Sequence, residues 1–169
     1  MDAGIIKVTR ERYPALRFIG KRYTDADRAA DDGSFSTQWE AWFAGGWFDA
    51  LEMLPAPDGV ESGRAALMGT NGEVFEYWIG VFCAENTPVP DGFAYADLPE
   101  QSAGVCWIHG KEPAIYWMHE HCAAELLSED MTPLAPGARW SCFERYNGAR
   151  FTERDEDGNA VLDYGIFIA

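Results

Sequence analysis

The sequence predicts an α+β domain: two β-α-β-β units whose strands form an antiparallel sheet, carrying two main helices and a central cleft. Three observations lead there. Strand-like and helix-like runs follow one another in the same order twice, over about residues 5–84 and 92–169. Apolar positions between Ser34 and Leu54 recur at helical spacing. Thr70-Asn71-Gly72 separates two strand-like runs, and Asn-Gly is the strongest short signal for a hairpin. The repeat is one of element order, with little residue identity between halves, and residues 1–169 read as one domain.

Residues 5–23 mix β-branched residues with alternating charge and read as a strand interrupted at Pro14. The polar run at 25–33 is turn-like. A helix is predicted over 34–54, with Ser34 or Ser36 as its N-cap. Phe35, Trp39, Trp42, Phe43, Trp47, Leu51 and Leu54 give it one aromatic face, and Gly45-Gly46 weaken or kink it. A loop at 55–63 leads into strands at 64–69 and 73–83, and the loop at 85–92 divides the halves. Residues 93–97 and 103–109 read as extended. Pro113 opens a helix to 127, since proline suits the first helical turn. Strands at 140–151 and 160–168 close the chain, joined across the acidic turn containing Asp157-Gly158-Asn159.

Composition narrows the partners. Of the 169 residues, 47% are hydrophobic, enough to bury a core and to exclude intrinsic disorder. Aromatics make up 14%, seven of them Trp, which means either a bulky core or an aromatic-lined cavity. The formal charge is −15, with 13 basic residues against 28 acidic ones. Polyanions bind through clustered Lys and Arg, so neither direct nucleic-acid binding nor adsorption to a membrane surface is expected. A solvated acidic surface accounts for most of the carboxylates, and a cationic or neutral ligand fits the remainder. No basic leader precedes an apolar stretch, and no apolar run is long enough to span a bilayer, so a cytoplasmic location is expected. Cys83, Cys106, Cys122 and Cys142 form no CxxC pair and read as reduced thiols.

His119-Glu120-His121-Cys122 resembles a metal site in composition only. On a helix, residues two apart point in different directions, whereas metal-binding pairs need spacings of three or four. No metal is expected. No Ser-His-Asp order, phosphate loop or nucleotide fingerprint occurs, so no cofactor is expected either. The segment 140–146 is more informative. At strand period two, Trp140, Cys142, Glu144 and Tyr146 share one face. A carboxylate there is either buried among aromatics, with Tyr146 as donor and a raised pKa, or exposed and paired with an Arg on a neighbouring strand.

Pro14-Ala15-Leu16-Arg17-Phe18-Ile19-Gly20, Glu76-Tyr77-Trp78-Ile79-Gly80-Val81, and Trp140 with Phe143-Glu144-Arg145-Tyr146 together resemble the GyrI-like, or bacterial effector-binding, family over nearly the whole chain. That family includes the ligand domains of MerR-type and AraC-type multidrug regulators as well as free-standing proteins. The last strand departs from the family pattern, with Tyr164-Gly165-Ile166-Phe167 in place of an aromatic-Ile-Pro run, and no helix-turn-helix accompanies the domain.

The resemblance implies a duplicated β-α-β-β fold and a central acidic residue, here Glu144 with Tyr146 beside it, in an aromatic pocket for lipophilic, often cationic, small molecules. Trp39, Trp78, Trp107 and Trp140 are further lining candidates from their positions in the predicted helix and strands. The resemblance also implies a second possibility, hydrolysis of strained or electrophilic ligands, with Glu144 activating water and Tyr146 donating to the leaving group. A third reading, an inhibitory protein-protein contact through the acidic surface, needs no cleft.

Overall fold

The computed structural model describes residues 2–61 and 63–169. Eight strands form one antiparallel sheet: β1 (Ala3–Tyr13), β2 (Leu16–Thr24), β3 (Arg64–Asn71), β4 (Val74–Ala84), β5 (Ala94–Leu98), β6 (Gln101–Gly110), β7 (Trp140–Tyr146) and β8 (Ala160–Ile168). Their order is β1-β6-β8-β7-β3-β4-β2-β5. Exchanging β1–β4 for β5–β8 reverses that order and leaves it unchanged, so the α+β class and the twofold plan are both realised. The stretch at 5–23 is two strands, because Pro14 has no N–H to offer a ladder. Pro99 plays the same part between β5 and β6. The register nevertheless runs through both breaks: Tyr13 pairs with Gln101, and Leu16 with Leu98. The two ends of the sheet are thus one bent two-strand ribbon.

The helices are shorter than the periodicity predicts. Residues 34–54 yield α1 (Ser36–Gly45) and α2 (Trp47–Leu51), divided at Gly46, whose φ of 63° is left-handed. Phe35 occupies the N-cap position; Ser34 Oγ accepts the N–H of Ser36 at 3.2 Å and donates to Asp32 Oδ1 at 2.7 Å. In the second half a 3-10 turn (Ala114–Trp117) precedes α3 (His119–Ser128). The strand expected over 140–151 stops at Tyr146, and α4 (Gly148–Thr152) replaces its second part. Asn147-Gly148 supplies the break, with Gly148 at a φ of 47°.

Both faces of the sheet are buried. On one, Trp42, Phe48 and Leu51 of α1 and α2 pack on Ile19, Ala66 and Ile79. Further along the same face, Cys122 and Leu126 of α3 pack on Cys106, Ile108 and Leu162. The other face curves around its own side chains, among them Tyr13, Phe18, Phe82, Phe143 and Phe167. Arg145 is set into this second face. Its guanidinium meets Asp163 at 2.9 Å, Glu11 at 2.8 Å and the Tyr13 hydroxyl at 2.6 Å. Arg150 of α4 donates from Nε to the same Asp163 at 2.8 Å.

Phe143 stands opposite Gly165 across the β7–β8 ladder, and its ring lies where a β-carbon on Gly165 would be. Gly165→Ala is expected to destabilise the protein by about 1–3 kcal/mol through overpacking, read as a lower urea midpoint with an unchanged slope.

Candidate functional site

The site is built from the pleat of β7. Cys142, Glu144 and Tyr146 face the helices, while Phe143 and Arg145 face the other way. Glu144 is 9% exposed. Its cross-strand neighbours are Ala66 of β3 and Tyr164 of β8. The Tyr146 hydroxyl donates to Glu144 Oε2 at 2.8 Å.

Helices complete the enclosure. Trp39 of α1 lies edge-on to the Tyr146 ring at 4.9 Å and donates its indole N–H to the Tyr77 hydroxyl at 2.9 Å. Phe151 of α4 also lies edge-on to Tyr146, 5.0 Å between centroids. The Tyr164 hydroxyl lies 2.7 Å from Nδ1 of His119, at the start of α3, and donates to Cys142 Sγ at 3.4 Å. Tyr116, in the turn before α3, donates to Glu112. Burial raises the pKa of Tyr77, Tyr116, Tyr146 and Tyr164, and the negative charge of Glu144 raises each further.

The electrostatics single out Glu144. Three buried acids stand among the described residues: Glu76, Glu144 and Asp163. Asp163 meets Arg145 and Arg150. Glu76 meets Arg22 at 2.7 Å and Arg139 at 2.8 Å and accepts the Trp78 N–H at 3.0 Å. Burial alone would raise its pKa, but these hydrogen bonds hold it below the usual range. Glu144 has a phenol where the other two have arginines. Burial therefore dominates, and its pKa is pushed up to about 7, with the Tyr146 bond opposing the shift.

The structure brings together Glu144, Tyr146 and Trp39. Three other expected lining residues sit on the opposite face. Trp78 belongs to the alternation of Glu76 and Phe82, away from the helices. Trp107 lies between Lys7 and Arg150, 4.2 and 4.3 Å from its ring. Trp140 is displaced by a bulge: Met68 pairs with Cys142 but Gly69 with Trp140, which leaves Ser141 as the extra residue and reverses the parity of the strand. Its ring carries Arg139 at 3.8 Å. Tyr77, Tyr116 and Tyr164 do face the carboxyl, and sequence reasoning did not select them. The signal available was adjacency: Tyr77 precedes Trp78, and Tyr164 opens the departure noted in the last strand.

No family model and no curated protein sequence matches this chain. Solved structures match its fold. The structure of SAV2435 bound to tetraphenylphosphonium superposes with a TM-score of 0.70 at 14% identity, covering 97% of this chain and 94% of that one. A Staphylococcus aureus MU50 protein named for bacterial transcription regulation gives 0.65 at 12% identity, over 96% and 98% of the two chains. An integron cassette protein from the mobile metagenome of Vibrio cholerae gives 0.59 at 14% identity, over the full length of both. At these identities the likeness is one of fold.

Because folding raises the pKa of Glu144 from 4.5 to about 7, the folded state holds this proton more tightly than the unfolded chain. The group favours folding at acidic pH, and that contribution disappears as pH rises through about 7. Glu144→Gln should therefore stabilise the protein relative to wild type by up to about 3 kcal/mol at pH 8, and by little at pH 4. Urea midpoints of both proteins at the two pH values test this.

Proposed function

We propose that the chain is a GyrI-like effector-binding domain that takes lipophilic cations into the aromatic cleft above Glu144. The observation that carries this reading is the buried carboxyl, ringed by phenols and paired with no cation among the described residues. Ionising it in that setting is costly, and an incoming cation removes the cost. Aromatic faces add about 0.5 to 2 kcal/mol each to cation binding. The fold shared with a protein seen bound to tetraphenylphosphonium, and with one named for transcription regulation, supports the same ligand class. The acidic balance of the chain favours the approach of such a ligand.

Tetraphenylphosphonium has no proton to lose, so it isolates the titration of the protein. Wild type is expected to bind it saturably at pH 8, with quenching of Trp fluorescence, and Glu144→Gln should weaken binding by about tenfold, or 1.4 kcal/mol. Wild-type affinity should fall by a similar factor from pH 8 to pH 6, as Glu144 takes up its proton, and that of Glu144→Gln should not. Equal affinities in the two proteins at pH 8 would remove Glu144 from the site.

One observation favours a hydrolytic variant of this reading. A carboxyl poised near pH 7 beside a phenol donor is matched to general acid-base work on an electrophilic ligand. Turnover of an epoxide or activated ester that drops at least a hundredfold in Glu144→Gln would establish it; turnover unchanged by that substitution would exclude it.

A further inference from the structure

A cavity of about 390 Å³ opens beside the site, between α2, α4 and the ends of β3, β4 and β7. Leu51, Leu54, Val81 and Phe82 give it apolar walls, and Tyr146 lines it too. The volume is that of a small-molecule pocket. Its rim is wet: Glu52, Gly148 and Thr152 are all exposed. Arg64, the cross-strand neighbour of Tyr146, also lines the cavity, and its charge is offset there. Glu52 binds it at 3.1 Å, and the ring of Phe48 lies 4.8 Å from its guanidinium carbon.

We propose that this cavity receives the apolar body of the ligand while its cationic centre reaches Glu144, with Tyr146 as the movable wall between the two. The inference rests on the cation-binding reading above. Tyr146 is suited to that part because its hydroxyl holds the carboxyl at 2.8 Å and the same residue lines the cavity. Turning the ring opens one space into the other and frees the oxygen that it occupied. The cation then takes over the charge partner's place left by the phenol. A ligand of this kind is an amphipathic cation whose charged centre carries aromatic or alkyl arms, one of them lodged under α4.

Filling the cavity without touching Glu144 tests the assignment. Leu54→Trp and Thr152→Trp each place an indole in it, the second from an exposed position that tolerates substitution. Binding of tetraphenylphosphonium is measured by calorimetry at pH 8 and pH 6 on wild type, on both variants and on Glu144→Gln, with circular dichroism to establish folding. The expected result is affinity at least fivefold weaker in both cavity variants, with the wild-type pH dependence retained. Folded cavity variants with wild-type affinity, alongside a weakened Glu144→Gln, would overturn the cavity and leave the Glu144 reading standing. Absence of binding to wild type would overturn that reading and this inference with it.

Discussion

Consecutive residues of β7, Glu144 and Arg145, are both charged, both buried and turned to opposite faces of the sheet. The pleat leaves no other arrangement. On one side the guanidinium of Arg145 is met by Asp163, Glu11 and Tyr13, which come from β8 and β1. Such a buried network contributes little net energy over apolar packing, yet losing one member strands the others at several kcal/mol. Its effect is to fix β7 in height and register against its neighbours. Glu144 is fixed by the same bonds, though it takes part in none of them.

That arrangement separates two uses of a buried acid. Glu76 and Asp163 are neutralised by arginines and serve the architecture. Among the described residues Glu144 meets a phenol donor, Tyr146, and no arginine or lysine. The strand order is twofold, but the seam between β3 and β7 is not symmetric in chemistry. Ala66 stands across from Glu144, so a single carboxyl occupies this point of the seam.

How far the sequence discloses this follows from where alternation is visible. The spacing of Cys142, Glu144 and Tyr146 gives their common face correctly, since nothing interrupts β7 between them. Trp140 is lost to a single extra residue, Ser141, and no local pattern marks that bulge. Trp78 fails for a different reason. From Glu76 to Cys83 every residue of β4 is buried, so polarity does not tell its two faces apart. The helix break at Gly46 is anticipated by the Gly45-Gly46 pair, whereas α4 is hidden in a run that continues the strand pattern. Tyr116 and Tyr164 reach the carboxyl only through tertiary packing, which periodicity does not encode.

The ribbon that joins the ends of the sheet has a consequence for how the chain is made. Ala3 pairs with Gly110, so β1 has no partner until β6 exists, and β2 lacks its outer neighbour until β5 does. Contacts so distant in sequence are slow to form, and a strand waiting for them presents unpaired amides to whatever is near. Neither half can finish a sheet from its own residues. During synthesis the first half must be kept from pairing elsewhere until the second has emerged, and the charged residues scattered along β1, at Lys7, Arg10, Glu11 and Arg12, are the kind of side chain that discourages such pairing. The two halves are made one after the other and completed together.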